Sequence, residues 1–168
     1  MLPLALVVAL SLAAPPRPSP GPAAPAPVAP AVDGTAAFER LKKLEGGWKS
    51  DAKEPQFVML RLVANGTAVL ETVTGADRTA VLSATIYAFE GTELVATHYG
   101  SGGTSHLKLK ELDASTLRFE GTSKEARLAA VTVTTKDPKL KLEITVRENG
   151  REAKRALELL REYVDTLK

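Results

Sequence analysis

The residues best equipped for chemistry lie together in the stretch LVATHYGSGGTSHL, residues 94–107. It holds both histidines of the chain, His98 and His106, around the run Gly100-Ser101-Gly102-Gly103-Thr104-Ser105. Such a set can in principle ligate a metal, cradle a phosphate, or pair an imidazole with a serine nucleophile. A phosphate loop needs a lysine after its glycines and a helix beginning there, and this run has neither. Zinc takes three or four N, S or O ligands. With 2 histidines and no cysteine, carboxylates would have to supply the rest, so no metal is expected. Ser101 and Ser105 lie near the histidines, but nothing marks a strained elbow or a third, orienting group, so no catalytic residue is assigned. The run reads as a glycine-rich hairpin.

Strand alternation sorts the remaining polar residues, because residues i and i+2 share a face. His98 shares its face with Leu94 and Ala96, and Tyr99 with Val95 and Thr97. Leu107 and Leu109 mark the buried face beyond the turn, which puts His106 outward beside Lys108 and Lys110. Glu71 lies between Val69 and Val73, and Arg61 between Met59 and Val63. Charged groups rarely occupy such faces unless they are paired or line a wet cavity. The candidate ligand-binding set is therefore Glu71, Arg61 and His98 with a tyrosine, Tyr87 or Tyr99, fixing the polar end of an apolar ligand. The alternative is that the same groups form an internal hydrogen-bonded network that closes one end of the fold and holds no ligand. Trp48 is read as a plug of the core.

The elements that must position these residues are mostly strands. Phe38, Leu41 and Leu44 repeat at helical spacing behind Thr35, a candidate cap, and Gly46-Gly47 stop that helix. Thereafter the chain punctuates like β-structure. Strands are predicted from Trp48, over Gln56–Val63, Thr67–Thr74, Thr79–Phe89, Thr92–Tyr99, Ser105–Leu112, Thr116–Gly121, Leu128–Thr135 and Leu140–Arg147. Short turns such as Asn65-Gly66 and Asn149-Gly150 join them, with no helical crossover, so the sheet is an antiparallel meander. The last stretch, REAKRALELLREYV, has helical propensity, yet it alternates like a strand after a hairpin turn. A meander with an open edge favours closure, so a tenth strand is expected there.

At 168 residues the chain suits one domain. Its 22 Lys+Arg are scattered among 20 Asp+Glu and its aromatic content is 5%, which excludes the basic, aromatic-studded surface of a nucleic-acid binder. Leu2–Leu12 is an apolar run of signal-peptide length, followed by small residues that suit cleavage after Ala13, although no Lys or Arg precedes it. The competing reading is an uncleaved anchor. Eight of the 11 prolines fall in the following Pro/Ala-rich segment. The expected organisation is a signal peptide over 1–13, an extended tether over 14–32 and a folded domain over 33–168. The destination is periplasmic or secreted, with no stable membrane insertion after processing. The absence of cysteine excludes disulfides and a lipid-bearing cysteine.

Particular residues carry a family resemblance. LKKLEGGWKS, with a glycine two residues before tryptophan, resembles the Gly-x-Trp start of lipocalin-like barrels. NGTAVLET and ATIYAFEGTELVATHYGSGG resemble a group of exported bacterial lipocalin-like proteins, related in fold to the ten-stranded nitrobindin barrel. Members carry a glutamate in the Val-Leu-Glu position and a Thr-His-Tyr triplet, followed by a cysteine and a Gly-Asn-Gln-Pro turn. Glu71, Thr97, His98 and Tyr99 match; Gly100 stands where the cysteine would be, and Gly103-Thr104-Ser105-His106 replaces the turn. Nitrobindins ligate haem through a histidine near the C-terminus, and none follows His106 here, so no haem or other cofactor is expected.

The fold expected is all-β: one antiparallel, lipocalin-like barrel of about ten strands with a short N-terminal helix. The leading function is an exported, non-enzymatic binding module holding a small, largely apolar ligand in the barrel cavity. The alternative is a structural or protein-interaction domain with a filled barrel and an unidentified protein partner. An enzyme using His98 and Glu71 as an acid/base pair ranks third. A lumen of several hundred Å3 would favour binding, and a lumen packed with side chains would favour the interaction domain.

Overall fold

In a computed structural model, residues 32–123, 126–148 and 150–162 are described. The expected signal peptide and the tether up to residue 31 lie outside the described residues. Helix α1 runs over Gly34–Lys43. Its N-cap is Asp33 rather than Thr35: the helix starts two residues earlier than expected, and the Asp33 carboxylate accepts from the Ala36 N–H at 3.0 Å.

Ten strands follow: β1 (Gly46–Ser50), β2 (Phe57–Val63), β3 (Ala68–Thr74), β4 (Val81–Glu90), β5 (Glu93–Gly100), β6 (Gly103–Leu112), β7 (Thr116–Gly121), β8 (Leu128–Lys136), β9 (Lys139–Glu148) and β10 (Arg151–Glu162). Each pairs antiparallel with its sequence neighbours, and β1 pairs with β10 from Gly47↔Glu162 to Ser50↔Leu159, closing a lipocalin-like barrel. The C-terminal stretch is thus a strand. Helical propensity there amounts to a few tenths of a kcal/mol per residue, and it yields to a double row of backbone hydrogen bonds with β9 and β1.

Several boundaries differ from the sequence reading: β1 and β6 each start two residues earlier than expected, at Gly46 and Gly103, and two further differences have local reasons. β4 begins at Val81 because Asp77 captures Thr79, accepting from its N–H at 3.1 Å and its hydroxyl at 2.7 Å, which holds the chain in a turn. The β2–β3 turn takes in Ala64 as well as Asn65-Gly66, with φ of 50°, 55° and 81°.

Helix α1 caps one end of the barrel. Phe38 meets Phe89 edge-on at 5.5 Å between ring centroids, Arg40 Nη1 donates to the Thr116 carbonyl at 3.4 Å, and the Trp48 indole donates to the Leu44 carbonyl at 2.9 Å. Above the helix the lumen is filled. Val58, Leu60, Val69, Tyr87, Leu94, Leu107, Leu117, Phe119, Val133, Leu140 and Leu159 are all fully buried, and Tyr87 and Phe119 pack ring to ring at 5.3 Å. Burial of each large apolar side chain contributes about 1.5–3 kcal/mol. The opposite end carries the β1–β2, β3–β4, β5–β6, β7–β8 and β9–β10 turns and has no helix over it among the described residues.

Candidate functional site

Strand register builds a polar row across the inner wall. Glu71 on β3 is paired with Thr85 on β4, Thr85 with His98 on β5, and His98 with Ser105 on β6. All four point inward, each by the alternation that buries its apolar neighbours two residues away. One step deeper on β4, Tyr87 reaches up to the same carboxylate. Tyr87 Oη donates to Glu71 Oε2 at 3.0 Å, Thr85 Oγ1 lies 3.3 Å from Glu71 Oε1, and His98 Nδ1 lies 3.0 Å from Thr85 Oγ1.

Glu71 is 5% exposed, and no lysine or arginine pairs with it among the described residues. Burial raises its carboxyl above the ordinary 4.5, against the opposing pull of the bonds from Tyr87 and Thr85. Burial and the adjacent Glu71 push the Tyr87 phenol well above 10.0. Burial lowers the His98 imidazole below 6.5.

These contacts admit two proton arrangements. With Glu71 ionised, Tyr87 and Thr85 both donate to it, Thr85 accepts from His98 Nδ1–H, and Nε2 is left as a bare acceptor. With Glu71 protonated, its O–H donates to Thr85, Thr85 donates to His98 Nδ1, and Nε2 carries the proton. The Glu71 proton therefore decides whether the exposed edge of His98 accepts or donates.

That edge looks into a cup at the open end of the barrel, of about 160 Å3. Its floor is His98 and Ser105, its apolar wall Leu128, Ile144 and Val146, and its rim Arg127, Glu148 and Arg155. Arg127 Nη2 donates to Glu148 Oε1 at 2.8 Å, and Arg155 lies 3.7 Å from the same carboxylate. The glycine run gives His98 and Arg127 room. A Cβ on Gly100 would sit 2.9 Å from His98 Nε2, and one on Gly102 would run into the Arg127 side chain.

Of the sequence-predicted set, Glu71, Tyr87 and His98 come together. Arg61 and Tyr99 do not. On β2 the inward residues are Val58 and Leu60, so Arg61 is turned to the outer face with Met59; the Met59–Val63 face is the outer one, its apolar character notwithstanding. Tyr99 follows His98 directly and faces out, 46% exposed. His106 is exposed, its Nδ1 3.3 Å from Thr97 Oγ1. Sequence reasoning weighed Ser105 only as a nucleophile, and missed Thr85, which only register identifies, and Arg127, Glu148 and Arg155, which arrive from the residue before β8, the end of β9 and β10. No group of three or more His, Asp or Glu side chains suited to a metal ion occurs among the described residues.

No family model matches the chain, and no curated protein matches it.

Proposed function

We propose that this protein is an exported, non-enzymatic binding module whose small ligand sits in the cup at the open end. One observation carries the reading: the register-built row from Glu71 to Ser105 delivers a half-buried imidazole edge, His98 Nε2, to a concave site with an apolar wall. The lumen is packed with side chains, the outcome that favours the interaction domain. The barrel-cavity site expected from sequence is therefore given up, and the binding reading rests on the cup at the mouth alone. At about 160 Å3 the cup holds about five water volumes and is smaller than the ~300–1,000 Å3 of most ligand pockets. The ligand's polar group meets His98 and Ser105, and its apolar part faces Leu128, Ile144 and Val146. Thr85 stands between Glu71 and His98, which argues against a direct acid/base dyad.

Export rests on the Leu2–Leu12 run and the Pro/Ala-rich segment behind it. Kinship with the exported, nitrobindin-related lipocalin-like group rests on Glu71 and the Thr97-His98-Tyr99 triplet. Where that group has cysteine this chain has Gly100, and a side chain there would press on His98. A protein-interaction role is the second reading, favoured by the packed lumen and by exposed Val81 and Leu82. Native mass spectrometry of the exported form tests the choice. A co-purified small molecule lost in His98→Ala supports the cup. An empty protein whose His98 ring resonances ignore small-molecule probes supports the interaction domain.

A further inference from the structure

The cup does not end at the barrel wall. Leu82, Ser83, Gly100 and Ser101 line both the cup and a shallow, open stretch of the outer surface that also takes in Val81, Ala84 and Tyr99. Ser83 pairs with Gly100, so the wall at this point carries only a short hydroxymethyl side chain and a glycine. Inside and outside therefore communicate over a notch. Beyond the notch, Val81, Leu82 and Tyr99 are 61%, 49% and 46% exposed, an apolar lip with nothing packed on it among the described residues. On the cup side the rim carries two guanidinium groups, Arg127 and Arg155, against the single Glu148 carboxylate.

We propose that the ligand is a free anionic amphiphile, its carboxylate-type head in the cup and its apolar chain laid across the Ser83–Gly100 notch onto Val81, Leu82 and Tyr99. This rests on the binding reading above and adds to it the ligand's class and direction. The small cup takes the head alone, which is why the lumen can be full. The head accepts from His98 Nε2–H, which is present in the arrangement with Glu71 protonated, and meets the surplus positive charge of the rim, while the chain removes exposed apolar surface from water.

Titration calorimetry and His98 ring resonances, read on the intact domain below micelle-forming concentrations, test this with butyrate, decanoate and decyltrimethylammonium. Decanoate is expected to bind at least about tenfold tighter than butyrate, short of the roughly fourfold per methylene that complete burial gives. Decyltrimethylammonium, with the same chain and a cationic head, should bind at least about tenfold weaker than decanoate. The double substitution Val81→Ser/Tyr99→Ser, at exposed lip residues that do not line the cup, should bring decanoate down toward the affinity of butyrate and leave butyrate unchanged. If butyrate shifts His98 and decanoate binds no tighter, the lip is overturned and the cup stands. If neither moves His98, both fall. Association with anionic phospholipid vesicles in the absence of any binding of free decanoate would also overturn the proposal.

Discussion

Replacing Glu71 with glutamine should leave the polar row intact and remove its pH dependence. The amide oxygen can accept from Tyr87 as Oε2 does, and the amide NH2 can donate to Thr85, reproducing the arrangement with a protonated carboxyl. The parent differs in one respect: the folded state holds the Glu71 proton more tightly than the unfolded chain, because burial raises the carboxyl above 4.5. Below pH 4.5 both states keep the proton and the parent has its full stability from this site. As the pH rises, the unfolded chain ionises first, and the parent loses up to about 1.4 kcal/mol per pH unit until the folded carboxyl itself ionises. Above that point the loss is constant. Glutamine has no proton to lose, so Glu71→Gln should gain on the parent through this window, starting near pH 4.5. Urea denaturation of both proteins at unit pH steps from 4 to 8 reads the difference directly. Other titrating groups, including His98 with its lowered value, occur in both proteins and largely cancel. A difference that stays flat from pH 4 to 8 would refute the reasoning. So would a parent that gains on the variant as pH rises, which would mean an ionised Glu71 stabilised by the fold.

Truncating the two histidines should give unequal results. His98→Ala leaves Thr85 without its ring partner and should destabilise the domain by roughly 1–3 kcal/mol, whereas the exposed His106→Ala should stay within about 0.5 kcal/mol; equal losses in urea titrations would contradict the face assignment. Gly100→Ala places a Cβ against His98 Nε2, so the His98 ring resonances should move while those of His106 stay, as a two-dimensional spectrum of the ring nitrogens would show. Phe119→Ala, deep in the filled lumen, should cost roughly 3–5 kcal/mol in the same urea assay, and a much smaller loss would indicate a looser interior than the packing against Tyr87 implies.

Most of the barrel was legible because its strands alternate and its turns announce themselves. The β5–β6 hairpin follows from glycines between alternating runs, and the inward direction of His98 and Glu71 from the apolar residues two positions away. The failures come from the limits of alternation. Arg61 sits between Met59 and Val63, and a strand with apolar residues on both faces does not disclose which face is the inner one; Leu60 and Val58 settle it only once the barrel closes. The polar row is a different matter. Thr85 becomes the link between Glu71 and His98 through register across three strands, and register depends on turns such as the Asp77–Thr79 capture that starts β4 two residues late. The rim of the cup is harder still, since Arg127, Glu148 and Arg155 meet only through a cylinder. The glycine run reads from sequence as a hairpin and nothing more. Its Gly100 and Gly102 are space for an imidazole and a guanidinium.

Closure between β1 and β10 also dictates an order of events. The first and last strands of the barrel are neighbours, so every residue between them must be available before the ring of backbone hydrogen bonds can complete. While the chain emerges from a ribosome or a membrane pore, β1 and the newest strand are both unpaired edges, able to add strands from other chains. Such long-range pairing is slow to form, because the loop-closure entropy is spent before the contact rewards it. The protein is therefore most exposed to aggregation just before residues 151–162 arrive, and a chain interrupted at Gly150 would keep two open edges, on β1 and β9.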